Sequence, residues 1–64
     1  MESQLLIRQC PDPLMWYAGK IGKLVPLIRI DTDFYISREP NGYSNIVKKE
    51  DAEIVIYYSK IDSI

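Results

Sequence analysis

Histidine is absent from this 64-residue chain, and cysteine occurs once, at Cys10. A lone cysteine closes no internal disulfide, so the fold is not stapled in the manner of small secreted domains. One thiol without histidine also excludes the usual zinc-ligand sets. Neither sign of charge is in excess: eight Lys and Arg stand against nine Asp and Glu, a net charge of −1. A strongly basic nucleic-acid binder would show a clear positive surplus, and an acidic nucleic-acid mimic a negative one. No apolar run approaches the ~20 residues of a membrane-spanning helix. Met1-Glu2 places a negative charge where a secretory signal is positive. The expectation is a soluble, cytoplasmic protein with no membrane association, in which an unpaired thiol fits a reducing compartment.

What is present is apolar surface, at 47% of residues. That is ample for a packed domain and excludes disorder on composition. A chain of this size nevertheless buries only about 60% of the surface its unfolded form exposes. A partner or a second copy of the chain is expected to complete part of the apolar surface.

The stretch from Phe34 to Ile56 organises the rest. Phe34 to Arg38 and Tyr43 to Lys48 read as strands joined by Pro40-Asn41-Gly42, a turn in which proline pre-sets its own φ while Asn41 and Gly42 tolerate the positive φ a tight hairpin needs, with Gly42 expected to adopt it. Lys49-Glu50-Asp51-Ala52 is polar and fits one 3₁₀ turn. Glu53 to Tyr58 is the last strand. Ile36, Ile54 and Ile56 are expected at buried strand positions, with Phe34 sharing the face of Ile36. Upstream, Lys23 to Ile30 is a strand interrupted by Pro26, as a strand bending from one sheet layer to another would be. Gly19 and Gly22 fit a loop with two tight bends. Pro11 and Pro13 stop any regular element before them. The expected organisation is an N-terminal arm at residues 1–13, paired at most at a sheet edge, a small β-barrel domain at 14–58, and a C-terminal tail at 59–64.

No segment holds a helical period, so the fold class is all-β: a small, strongly bent antiparallel barrel of four to five strands with one 3₁₀ turn before the last. Over roughly Trp16 to Ile56 this pattern resembles the Src-homology-3-like and KOW-like small barrels. The phrases Trp16-Tyr17-Ala18-Gly19-Lys20-Ile21-Gly22 and Arg38-Glu39-Pro40-Asn41-Gly42-Tyr43-Ser44-Asn45-Ile46-Val47, running on into Lys49-Glu50-Asp51-Ala52-Glu53, are similar to short phage and prophage proteins of Gram-positive bacteria. That resemblance brings no activity with it. It implies a compact accessory protein that works by contact with a host protein, for example a component of antiviral defence, in the host cytoplasm.

No catalytic constellation stands out, and the expected class is non-enzymatic, without cofactor or metal. Asp31 and Asp33 read as turn residues and lack the further oxygen ligands of a cation loop. Glu50, Asp51 and Glu53 read as a solvated turn capped by Asp51. Cys10 has no histidine to activate it. Gly19 and Gly22 lack the residues of a phosphate-cradling loop. The informative residues are aromatic: Trp16, Tyr17, Tyr35, Tyr57 and Tyr58, together with Ile61, are the candidate partner-binding set, because large aromatics anchor protein interfaces. Interleaving of the tyrosines with Lys20, Arg29, Arg38, Lys48 and Lys49 leaves single-stranded nucleic-acid binding as the alternative.

Overall fold

In the strand β1, Glu2–Ile7, alternate side chains divide between two faces: Leu5 and Ile7 are fully buried while Leu6 between them is half-buried. The computed structural model, which describes residues 2–57, places β1 at the centre of a three-stranded antiparallel sheet. β2, Leu24–Pro26, lies on one side of it and β6, Ala52–Tyr57, on the other. The arm expected over residues 1–13 is therefore corrected, because β1 has a hydrogen-bonded neighbour on both sides. Its Leu5 stands opposite both Val25 and Ile54, and its Ile7 opposite Ala52, so three strands contribute to one apolar face.

The second antiparallel sheet holds β3, Arg29–Ile30, β4, Phe34–Arg38, and β5, Ser44–Lys48, in that order. Lys23 to Ile30 thus bends between layers as its sequence suggests, with β2 in one sheet, β3 in the other, and Leu27 and Ile28 between them. Pro26 occupies the last position of an edge strand, where a missing N–H is tolerated. Its carbonyl accepts a hydrogen bond from Ser37 Oγ at 2.6 Å, and the Ile28 N–H donates to the Ile36 carbonyl at 2.8 Å. These two bonds fasten the bend to β4. The chain is all-β in two small sheets, with 3₁₀ turns at Ala18–Lys20 and Lys49–Asp51. No helix among the described residues is long and apolar enough to cross a membrane.

Glu39 and Tyr43 close the β4–β5 hairpin, the Glu39 N–H donating to the Tyr43 carbonyl at 2.7 Å. The Gly42 N–H returns to the Glu39 carbonyl at 2.8 Å, and Gly42 has φ 98°. This is a three-residue loop in which the glycine alone takes the left-handed position; Asn41 has negative φ and uses its Oδ1 to accept from the Tyr43 N–H.

Two burial expectations are corrected. In β4 the core face carries Tyr35 and Ser37, opposite Val47 and Asn45, while Ile36 pairs with Ile46 on the other face and is half-buried. A serine is tolerated at the crossing of the sheets because its hydroxyl is satisfied by Pro26. In β6, Ile54 and Ile56 do lie on the face of Leu5 and Ile7, yet they are 37% and 49% exposed. β2 ends opposite Gln4, so the Ser3–Ile56 end of the β1–β6 ribbon has no third strand beside it.

The core comprises Leu5, Ile7, Tyr17, Val25, Val47 and Ala52, with Cys10, Met15, Trp16, Leu27 and Tyr35 packed around it. Asp51, read from sequence as the cap of a solvated turn, is buried among them. Its Oδ2 accepts from the Tyr17 hydroxyl at 2.5 Å and its Oδ1 from Gln9 Nε2 at 3.0 Å. The Asp51 carbonyl takes the backbone N–H groups of Arg8 and Gln9, and the Tyr17 oxygen accepts from the Lys48 N–H at 3.3 Å. A carboxylate survives burial only when its oxygens are satisfied in this way. Burial first, and the bond to Asp51 second, push the Tyr17 phenol well above its ordinary pKa.

Two measurements follow. A Cβ at Gly42 would meet nothing within 4 Å, so Gly42→Val carries only the backbone penalty of its φ. Gly42→Val is expected to lower unfolding free energy by about 1–2 kcal/mol in urea titration, and Gly42→Asn by less. For Tyr17, the unfolded chain releases the phenolic proton near pH 10, before the folded chain does. The stability contributed by neutral Tyr17 is complete below about pH 10 and is lost as pH rises above it towards the folded value. Tyr17→Phe is expected to cost about 1.5–3 kcal/mol at neutral pH and to show a shallower alkaline fall than the parent chain.

Candidate functional site

Trp16 precedes the buried Tyr17 and stands against it edge to face, ring centroids 5.6 Å apart and planes at 84°. Such a T-shaped pair is a favoured aromatic geometry. Its indole Nε1–H donates to the Ile46 carbonyl at 2.7 Å, which ties the ring to the outer strand of the second sheet. Tyr17 is fixed by Asp51, so the position of Trp16 is inherited from the core.

The indole forms one wall of a surface groove of about 210 Å³. Leu24, Val25 and Pro26 of β2 supply its apolar floor, and Pro40 of the hairpin loop closes the far side. Lys20, at the end of the first 3₁₀ turn, Lys23, after the left-handed Gly22, Arg38, which ends β4, and Glu39 after it complete the lining. Glu39 Oε2 accepts from Asn45 Nδ2 at 2.7 Å, and Arg38 Nη1 donates to the Gly42 carbonyl at 3.2 Å. The bend at Pro26 brings these segments together, since it carries β2 across to the end of β4. At ~210 Å³ the groove is smaller than the roughly 300–1,000 Å³ of small-molecule sites. It has room for one large side chain.

Of the partner-binding set read from sequence, Trp16 lines this groove and no other member among the described residues does; Lys20 and Arg38, named with the nucleic-acid alternative, line it as well. Tyr17 is corrected from a partner-binding residue to a core residue: it is fully buried and its hydroxyl is committed to Asp51. Tyr35 is half-buried on the core face of β4, with Lys49 Nζ 5.8 Å from its ring centroid. Tyr57 ends β6 opposite Glu2. Tyr58, Ile61 and the tail at 59–64 lie outside the described residues. Leu24, Pro26 and Pro40 were not singled out as binding residues. Their signal in the sequence is weak, because an exposed leucine and two prolines read first as strand and turn.

Other chemistry is accounted for locally. Asp31 Oδ2 receives Arg29 Nη2 at 3.2 Å. The Cys10 thiol donates to the Asp12 carbonyl at 3.1 Å, and burial, then the charge of Asp51, raise its pKa, which disfavours the thiolate. Among the described residues no group of three or more His, Cys, Asp or Glu is placed to hold a metal ion. Compared with family models, with curated proteins and with solved structures, the chain matches none of them.

Proposed function

We propose that this chain is a non-enzymatic protein-binding module that receives a side chain of its partner in the groove beside Trp16. The observation that carries the reading is the groove itself. An indole fixed at its nitrogen, an exposed Leu24 and two prolines make an apolar recess. Exposed apolar recesses walled by tryptophan are where interfaces place their anchors.

The fold belongs to this reading as well. Strand order β2-β1-β6 in one sheet, the meander β3-β4-β5 in the other, a bent strand shared between them and a 3₁₀ turn before the last strand together support a Src-homology-3-like small barrel. The sequence phrases similar to phage and prophage proteins support a host protein as the partner, with modulation or inhibition of that protein as the outcome of binding.

Leu24→Arg fills the groove from an exposed position and tests the reading. Host lysate, with and without nuclease treatment, is passed over the parent chain and over the variant, with circular dichroism confirming that both are folded. A protein held by the parent and lost by about tenfold or more with Leu24→Arg, a difference of about 1.4 kcal/mol, is the expected result. Equal retention by both chains would place the binding site elsewhere. Binding abolished by nuclease would favour the single-stranded nucleic-acid alternative.

A further inference from the structure

Lys20, Lys23 and Arg38 stand around the groove, and Glu39 is the one carboxylate among its lining residues. The ion pairs of the described residues are elsewhere, between Arg8 and Glu53 and between Arg29 and Asp31. Within a chain of net charge −1, three cations without an ion-pair partner among the described residues therefore concentrate at one recess. Glu39 keeps its charge while its Oε2 accepts from the neutral Asn45 amide, so it offsets one of the three and leaves a positive excess at the groove. Trp16, Leu24, Val25, Pro26 and Pro40 suit an apolar group, whereas Lys20, Lys23 and Arg38 suit a carboxylate. An occupant that satisfies both is amphipathic.

The route of recognition is also constrained. β2 forms the floor and is an edge strand, but Pro26 has no N–H and its carbonyl already accepts from Ser37. Strand addition along β2 would meet a broken row of main-chain partners. Side chains must carry the recognition. A nucleic-acid strand needs a basic track and successive rings to stack its bases; the groove has one aromatic ring, that of Trp16, and room for one large group.

We infer that the groove takes an acidic segment of a partner protein, one bulky apolar side chain seated between Trp16, Leu24 and Pro40 with Asp or Glu on either side meeting Lys20, Lys23 and Arg38. This rests on the groove being the binding site. Charge complementarity of this kind sets partner choice and speeds encounter more than it adds affinity.

Trp16 is the only tryptophan of the chain, so its fluorescence reports directly on the groove. Three synthetic peptides are titrated against the full chain: a central leucine flanked by glutamates, by glutamines or by lysines, each at low and high salt. A fourth titration uses an oligothymidylate. The glutamate peptide is expected to bind about tenfold more tightly than the glutamine peptide, with the margin shrinking as salt is added. The lysine peptide is expected to be weakest, and Lys20→Glu with Lys23→Glu to reverse the order. Equal binding of all three peptides would overturn the acidic assignment while leaving the groove as the binding site. Binding of none of them would overturn both, as would a response to the oligothymidylate alone.

Discussion

A single buried contact, the Tyr17 hydroxyl on the Asp51 carboxylate, joins parts of the chain that no strand ladder connects. Tyr17 belongs to the long loop between β1 and β2; Asp51 ends the 3₁₀ turn before β6. The same carboxylate holds Gln9, and the same aspartate's carbonyl holds the backbone of Arg8 and Gln9. The end of β1, the middle of the loop and the start of β6 therefore meet at one residue. In a domain of this size, whose apolar core among the described residues is six side chains, a satisfied polar network can specify a unique arrangement where apolar contacts alone leave alternatives. The converse also holds. Removing one partner leaves a buried charge or hydroxyl unpaired, at a cost larger than the net value of the bond.

The surface depends on that contact through Trp16. The loop between β1 and β2 has only one short 3₁₀ turn of regular structure, yet its indole is held at the nitrogen by Ile46 and packs edge to face with Tyr17. A preorganised aromatic wall loses little freedom when a ligand arrives. The bend at Pro26 supplies the rest, since the same residues that switch the strand between sheets also floor the groove. The bend between the sheets and the groove are built from one segment.

Much of this architecture is legible in the sequence where the signal is local. Pro40-Asn41-Gly42 marks the hairpin, Lys49 to Asp51 the 3₁₀ turn, and Pro26 the bend. What is not legible depends on distant partners. Three apolar residues in Ser3 to Gln9 do not reveal that Leu5 and Ile7 have strands on both sides. Ser37 looks like a surface residue until Pro26 is brought to it. Asp51 looks like a solvated acid, and only Tyr17 and Gln9, 34 and 42 residues away, make it a core residue. The adjacent aromatics Trp16 and Tyr17 are conspicuous as a pair, but composition does not say that one is core and the other is wall. The groove was only partly visible for the same reason: residues 16–26 and 38–40 meet only after the sheets have crossed.

The central claim is that Tyr17 and Asp51 act as one unit, and a double-mutant cycle on stability measures it most directly. Unfolding free energies of the parent chain, Tyr17→Phe, Asp51→Asn and the double variant are compared at neutral pH. The structure predicts strong non-additivity, the double variant losing less than the sum of the single losses by more than about 1 kcal/mol, as expected for groups in direct contact. Additivity within about 0.5 kcal/mol, the behaviour of independent sites, would contradict the account.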